Sequence, residues 1–266
     1  MDLFTITSPT DARVPIVLSI PHSGTQFPDE LKGQFVPDLV AAPDDTDWFV
    51  DRLYGFAGAL GITTLRANLS RWVIDLNRNP EGQPLYSDGR IITAICPSTD
   101  FLGNPIYEDR RTTVDQREIE RRKELYFWPY YHQLQQLLND KKNEFGQVLL
   151  WDCHSIRQVV KTIQQEKFPD LILGDADGTT ASPGLIETTL SIVEHSPYTI
   201  THNHPFKGGN ITRSFGKPGE RQHALQLEMT KVQYMDDSEI HYDEARAGKI
   251  QSVLIRVFEA LIGQLM

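Results

Sequence analysis

The chain has 266 residues, of which 39% are hydrophobic and 23% are charged, and its formal net charge is −10. This composition is that of a folded globular protein and excludes a disordered or fibrous one. The negative charge argues against a nucleic-acid partner, because phosphate binding needs clustered Lys and Arg. The length favours a single domain over residues 1–266 with one continuous core.

Short apolar runs bounded by turn-forming residues predict buried strands, and apolar residues at helical spacing predict the helices between them. The predicted strands are 14–20, 62–66, 72–75, 148–151, 171–173, 198–201 and 224–228. The predicted helices are 47–60, 114–145, a third that begins at 182 and runs through 193, and about 243–265.

Local signals mark the helix ends. Gly61 ends the first predicted helix, and Thr113 with Gln116 three residues later forms a capping box at the start of the second. Pro129 should kink or split that second helix, and Pro183 suits the first position of the third.

Strands that alternate with helices predict an α/β fold, with a mixed and mostly parallel sheet covered on both faces as a three-layer α/β/α sandwich. Ligands of such sheets bind beyond the carboxyl ends of the strands. The longest irregular stretch, 79–111, is rich in Pro, Gly and Asp and is predicted to be a lid or binding loop.

Two cysteines are too few for a disulfide framework, which fits a reducing compartment. The first residues show no basic region followed by an apolar run, and no apolar stretch approaches the roughly 20 residues of a membrane span. We therefore predict a cytoplasmic protein with no membrane partner.

Two histidines stand where predicted strands end. His22 lies in Pro-His-Ser-Gly and His154 in Asp-Cys-His-Ser. Each alone suits a structural hydrogen bond, but two imidazoles at one sheet edge can meet at a single ion.

A hydrolytic zinc commonly takes two imidazoles and one carboxylate. That carboxylate would come from Asp47, which opens a predicted helix and could instead be a helix-capping acid, or from Asp45. Asp152 is a candidate for orienting an imidazole.

Two blocks suit the binding of carboxylates. Asn77 and Arg78 place an amide beside a guanidinium, although a surface Arg paired with Asp75 is the alternative interpretation. In the glycine-rich block 202–213, Asn210 and Arg213 are candidates for substrate binding, and Arg213 could take a second carboxylate. The His202 and His204 pair in this block could also bind metal or be solvated side chains of a turn.

Glu228 ends an apolar strand-like run, where an acid is costly to bury unless it is paired or takes part in chemistry. It suits a general base for hydrolysis, or a structural ion pair. A rival enzyme class would use Cys153 as a thiol nucleophile with a base such as His204. Adjacent Cys153 and His154 would point to opposite faces of a strand, so they are not expected to be partners.

Taken together, Pro-His-Ser-Gly, Asp-Leu-Asn-Arg, Asp-Cys-His-Ser and the Gly-Gly loop followed by Leu-Gln-Leu-Glu-Met resemble the N-formylglutamate amidohydrolase family, over residues 14–228. The blocks are also similar to the wider clan of aspartoacylase, succinylglutamate desuccinylase and zinc carboxypeptidases. The resemblance implies a phosphorylase/hydrolase-like α/β/α sandwich and one zinc ion held by two His and one acid.

The resemblance implies His22 and His154 as zinc ligands. Those clan relatives place the acidic ligand three residues after the first His, where this chain has Thr25. Asp47 matches the acid of the family's own Asp-led helix, so it is the implied third ligand.

The resemblance also implies Glu228 as the base, Arg71 as support for the developing oxyanion, and Asn77 with Arg78 on the α-carboxylate. The implied reaction is zinc-dependent hydrolysis of N-formyl-L-glutamate to formate and L-glutamate, in histidine degradation. Two alternatives stay open: another N-acyl acidic amino acid deacylase of the clan, and a non-catalytic binding protein for acidic amino acids.

Overall fold

The computed structural model describes residues 1–9, 12–83 and 94–266. Across these ranges seven strands form one sheet, in the order β1-β3-β2-β4-β7-β5-β6. Strand β1 is antiparallel to β3 and β5 is antiparallel to β7, whereas the other neighbours are parallel. The strands are β1 (Phe4–Thr7), β2 (Ile16–Ile20), β3 (Thr63–Ala67), β4 (Val148–Ile156), β5 (Leu171–Gly174), β6 (Ile200–His202) and β7 (Gln222–Thr230).

Helices connect the strands. The α-helices are α1 (Asp29–Lys32), α2 (Pro37–Ala41), α3 (Val50–Leu53), α4 (Gln116–Arg122), α5 (Trp128–Phe145), α6 (Pro183–Glu194), α7 (Asn210–Phe215) and α8 (Glu244–Leu265). A π-helical turn, Lys123–Phe127, joins α4 to α5, and 3-10 turns lie at Ala57–Leu60, Pro218–Glu220 and Lys231–Gln233. In the described ranges no helix has both the length and the apolar character that a membrane crossing requires.

Both faces of the sheet are covered by apolar cores, because side chains alternate along each strand. On β4, Leu149 and Trp151 pack in one core with side chains of α6 and α8. Val148 and Leu150 pack in the other core with side chains of α5. The predicted α/β/α sandwich with a mixed sheet is therefore confirmed.

One predicted strand is wrong. Residues 70–73 form a turn in which Val73 N donates to Ser70 O over 3.0 Å, residues 74–75 are irregular, and Trp72 and Val73 are fully buried. The run is apolar because it is buried beside the sheet rather than because it is extended. Strand β1, which is mostly exposed, escaped prediction.

The first predicted helix, 47–60, is also wrong as a single element. Only α3 and the 3-10 turn at Ala57–Leu60 are helical, and Phe49 precedes α3 with a left-handed φ of 63°. Asp47 therefore lies in a loop ahead of the helix.

The predicted cap of the second helix is wrong as well. Asp115, rather than Thr113, caps α4 by accepting from Glu118 N over 3.0 Å. Pro129 is predicted to kink or split this helix; it lies in the first turn of α5, directly after the π-helical turn, and the helical stretch continues through it. Within the loop predicted at 79–111, residues 84–93 lie outside the described residues.

Candidate active site

His22 follows β2 at the carboxyl end of the sheet and is almost fully buried. Its Nε2 lies 2.9 Å from Asp75 Oδ1. Its backbone oxygen accepts a hydrogen bond from Asp47 N over 3.0 Å. One imidazole is thus fixed both by a carboxylate and by the loop that carries a second candidate ligand.

His154 lies inside β4, which continues to Ile156 instead of ending at residue 151. Strand β2 pairs with β4 in parallel, so the end of β2 lies beside the carboxyl-terminal part of β4. The ring centroids of His22 and His154 are 4.9 Å apart. The two imidazoles predicted from distant parts of the sequence therefore meet.

Asp47 completes the group. Its Oδ2 lies 3.2 Å from His154 Nδ1 and 3.8 Å from His22 Nδ1, and it accepts from Ser155 N over 3.2 Å. One ligand atom from each of the three residues lies within 4.8 Å of the others, and all three side chains are buried. The structure thus brings together a His22, Asp47 and His154 group that could hold a metal ion.

Asp45, the alternative acid, faces elsewhere. Its Oδ2 accepts from Trp72 Nε1 over 2.8 Å and its Oδ1 from Phe101 N over 2.9 Å. Burial raises the pKa of Asp45 to about 6. Asp45 therefore anchors the loop, while Asp47 faces the imidazoles.

The group fits a metal ion on its own chemistry. Within the described residues, the buried His22 Nδ1 has no hydrogen-bond partner, although a ring nitrogen without one is costly to bury. The opposite nitrogens face carboxylates: His22 Nε2 contacts Asp75, and His154 Nε2 lies 3.1 Å from Asp152 Oδ2. Carboxylates in this position orient metal-binding histidines.

The charges in the group are strongly coupled. Burial, together with the charge of Arg71, lowers the pKa of His22 to about 4. Burial also opposes charge on His154, but the neighbouring Asp152 and Asp47 outweigh it and raise the pKa of His154 well above its usual value. The arrangement therefore holds one imidazole neutral and surrounds the other with negative charge.

Glu228 lies on β7 directly opposite His154 of β4. Its Oε2 accepts from Gln226 Nε2 over 3.4 Å, and burial raises its pKa to about 8. A carboxyl group that changes protonation near neutral pH beside a metal-binding group can both accept and return a proton.

Arg71 lies within the group rather than on the surface. Its Nη2 donates to Asp75 Oδ2 over 2.7 Å, its Nη1 is 4.0 Å from Asp47 Oδ1, and its guanidinium lies 4.7 Å from the centre of the Phe101 ring. This places a permanent positive charge against two of the buried carboxylates.

Asn77 is buried between β4 and the start of α7. Its Nδ2 lies 3.0 Å from His154 Nε2, and its Oδ1 accepts from Ile211 N over 2.8 Å. Gly209 packs so tightly here that a Cβ on it would lie 2.1 Å from Asn77 Nδ2. Gly209, from the glycine-rich block 202–213, thus packs against a side chain of the candidate site.

The other predicted substrate ligands surround this region. Arg78 is partly exposed, with Nε 3.7 Å from Asp75 Oδ2. Asn210 is buried and donates from Nδ2 to Tyr131 Oη over 2.7 Å. Arg213 is half-buried and donates from Nε to Gly208 O over 2.9 Å.

The thiol and the remaining histidines lie elsewhere. Cys153 is fully buried in the core on the opposite face of β4 from His154, and burial raises its pKa well above the usual value. His202 Nε2 lies 2.9 Å from Asp175 Oδ2, and His204 is exposed.

Sequence reasoning missed the contacts of Asp75, and it did not single out Tyr234, a buried residue whose hydroxyl contacts Trp48 O and Ser155 Oγ. Asp75 was interpreted only as an ion-pair partner for an arginine, yet it contacts both His22 and Arg71. Its place in the Asp-Leu-Asn-Arg block was the available signal. For Tyr234, the sequence offered no signal beyond an aromatic residue after a strand.

Fold and site together define an α/β/α protein whose sheet carries a buried two-histidine, one-carboxylate group beside a protonatable glutamate. A family model described as N-formylglutamate amidohydrolase matches residues 14–235. The chain belongs to this family, as the sequence resemblance predicted.

Individual relatives agree along nearly the whole chain. The N-formylglutamate deformylase of Pseudomonas putida is 36% identical over 252 residues, which cover 94% of this chain and 93% of the relative. That of Pseudomonas aeruginosa is 36% identical over 254 residues, with the same coverage. The crystal structure of N-formylglutamate amidohydrolase from Ralstonia eutropha JMP134 matches with a TM-score of 0.82 and 27% identity, over 100% of this chain and 98% of that one.

Proposed function

We propose that this protein is a zinc-dependent enzyme that hydrolyses N-formyl-L-glutamate to formate and L-glutamate. The observation that carries the proposal is the buried His22, Asp47 and His154 group with Glu228 in register beside His154. Family membership and the 36% identity to proteins named N-formylglutamate deformylase supply the substrate.

Zinc is the ion proposed because two imidazoles and one carboxylate form a common ligand set of hydrolytic zinc sites. His22 Nδ1, His154 Nδ1 and one oxygen of Asp47 would hold it. When bound, the ion supplies positive charge that polarises the formyl carbonyl and activates water. Asp75 and Asp152 keep the two imidazoles oriented through their opposite nitrogens.

Glu228 moves the proton. Its carboxylate takes a proton from the attacking water and then donates it to the leaving nitrogen of glutamate. A pKa raised by burial to about 8 suits a group that must perform both transfers near neutral pH.

The proposed oxyanion and substrate contacts use the cationic and amide side chains around the group. Arg71 would stabilise the negative charge that develops on the formyl oxygen. Asn77 and Arg78 are proposed for the α-carboxylate, with Asn210 and Arg213 for the side-chain carboxylate. Asn77 and Asn210 are neutral amides that already make buried hydrogen bonds, so the positive charge for the two carboxylates would come from Arg78 and Arg213.

The proposal is tested by steady-state kinetics with N-formyl, N-acetyl and N-succinyl derivatives of glutamate and aspartate. We expect the highest kcat/KM for N-formylglutamate, loss of turnover after chelation, and recovery on adding zinc. Glu228→Gln should lower kcat by about 10²-fold or more while it leaves zinc content unchanged.

The outcomes separate the alternatives. A preference for an acetyl or succinyl group would make the protein another deacylase of the clan. Binding of acidic amino acids without formate release would make it a binding protein, and full turnover of metal-free protein would refute the mechanism. Histidine degradation and a cytoplasmic location are further parts of the proposal that derive from the sequence and its resemblance.

A further inference from the structure

The loop that carries Asp47 belongs to neither a helix nor a strand. We call residues 44–48 the ligand loop. A carboxylate on such a segment needs other contacts to stay aimed at His22 and His154, because an unrestrained loop samples many conformations.

Tyr234 holds one end of the ligand loop. It follows the 3-10 turn Lys231–Gln233 after β7 and is fully buried. Its hydroxyl donates to Trp48 O over 2.9 Å and shares a hydrogen bond with Ser155 Oγ over 2.8 Å. Ser155 N in turn donates to Asp47 Oδ2, so Tyr234 ties the loop to the strand that carries His154.

Lys231 holds the other end. Its Nζ lies 3.4 Å from Asp44 O, and the side chain is only 2% exposed. Burial is costly for an ammonium group unless it is compensated. Burial, together with the charge of Arg157, lowers the pKa of Lys231, and the charges of Asp47, Asp44 and Glu239 oppose this shift.

We propose that Lys231 and Tyr234 are positioning residues that set the aim of Asp47 by holding both ends of the ligand loop. Lys231 begins the 3-10 turn that directly follows β7, the strand that carries Glu228, and Tyr234 comes directly after that turn. The same short segment would therefore place the proposed base and restrain the proposed ligand. This inference rests on the proposed function only in that the group binds a metal ion.

The first test is Tyr234→Phe, which removes only the hydroxyl. Tyr130→Phe is the matched control, because the Tyr130 hydroxyl is also buried and also contacts one serine, Ser19, and one backbone oxygen, Leu65 O. We expect Tyr234→Phe to weaken zinc binding by about 10-fold in competition with a chromophoric chelator, and Tyr130→Phe to leave the zinc affinity within about twofold of wild type.

The second test needs no metal. Asp47 N donates to His22 O in the folded protein, and its hydrogen exchange in metal-free protein reports how firmly the loop is held. We expect faster exchange at this amide in Tyr234→Phe and in Lys231→Met than in Tyr130→Phe. Lys231→Met removes the ammonium group, keeps most of the length of the side chain, and provides a second variant should Tyr234→Phe fail to fold.

Each result decides one question. Equal zinc affinity and equal exchange in the Tyr234 and Tyr130 variants would overturn the positioning role, and so would a Lys231→Met protein with wild-type values of both. Absence of zinc binding by wild-type protein would instead overturn the proposed function. The exchange experiment would still test whether Lys231 and Tyr234 hold the ligand loop.

Discussion

At the scale of single residues, the orientation of each imidazole depends on the carboxylate that faces its Nε2 atom. His22 is oriented by Asp75 and His154 by Asp152, so that both Nδ1 atoms turn towards Asp47. Because the ligands are fixed by buried partners, a metal ion would meet donors that are already arranged. Such preorganisation lowers the entropic cost of binding.

The raised pKa of Glu228 predicts how the stability of metal-free protein depends on pH. The folded state keeps this proton up to about pH 8, whereas the unfolded chain releases it near 4.5. Stability should therefore fall as pH rises between these values, since the folded state binds more protons. The Glu228→Gln variant has no carboxyl group to titrate here, so its free energy of unfolding should rise relative to that of wild type as pH increases.

Denaturant unfolding in chelator at pH 5 and pH 8 measures this difference. We expect the Gln variant to gain about 1 kcal/mol or more on wild type between the two values, after allowance for the partial exposure of the side chain. A constant difference across this pH range would show that Glu228 is not perturbed in the folded protein.

The candidate residues His22, His154 and Glu228 were predictable because polar side chains that follow buried apolar runs stand out in sequence. Tyr234 was not, since its role depends on where a remote loop crosses the sheet. For Asp75, the sequence supplied the residue and an arginine partner, but not its contact with His22. Nothing local indicates that a turn at 70–73 will direct this carboxylate towards the end of β2.

At the scale of elements, side chains alternate between the two faces of β4, so His154 and the thiol of Cys153 lie on opposite faces of the sheet. Asp152 and His154 face the side of Glu228, whereas Cys153 faces the core that contains α6 and α8. A buried thiol with a raised pKa is a poor nucleophile.

Cys153→Ala should therefore keep kcat within about twofold of wild type, while the small cavity lowers the free energy of unfolding by about 1 kcal/mol. Turnover measured beside denaturant unfolding separates the two effects. A loss of kcat of about 100-fold or more in a folded variant would restore the thiol mechanism.

Packing of the glycine loop against Asn77 gives a second prediction. In Gly209→Ala, the new methyl group would displace the Asn77 amide from both Ile211 N and His154. We expect kcat/KM to fall by about 10-fold or more, because small misplacements at a site are costly.

Gly248→Ala in α8 is the matched control, since its Cβ would meet no atom within 4 Å. It should raise stability by up to about 1 kcal/mol through helix propensity and leave kcat/KM unchanged. Equal kinetics in the two variants would show that Asn77 tolerates displacement.

Of the strands that build the site, β4 and β7 were predicted in the right places but too short, whereas β2 was predicted two residues too long. The run at 148–151 was taken to end before Asp152, because polar residues usually mark the end of a strand. Burial of β4 continues through Ile156, however, as polar side chains there serve the site. Conversely, Trp72 and Val73 looked strand-like because a buried turn carries the same apolar residues as a buried strand.

At the scale of the whole molecule, the group of His22, Asp47 and His154 that could hold a metal ion joins segments that are distant in sequence. It links the end of β2, the ligand loop and the central strand β4. An ion held by all three would bind the folded chain alone, and would therefore shift the unfolding equilibrium.

We expect zinc at about 100 times its Kd to add about 2.7 kcal/mol of stability and to raise Tm by about 5 °C or more. The measurement is thermal unfolding with chelator and with added zinc. His154→Ala should abolish most of the shift, and a shift that persists in this variant would place the ion elsewhere.

The order of strands across the sheet also bears on how the protein is made. Strand β4 pairs with β2 on one side and with β7 on the other. On the ribosome, His22, Asp47 and His154 have all been synthesised once residue 154 is added. Glu228 is synthesised much later, because it belongs to β7, the last strand in the chain order. A nascent chain therefore contains all the proposed donors well before it contains the segment that, in our proposal, aims Asp47, so we expect tight metal binding only once the chain has been made as far as Tyr234.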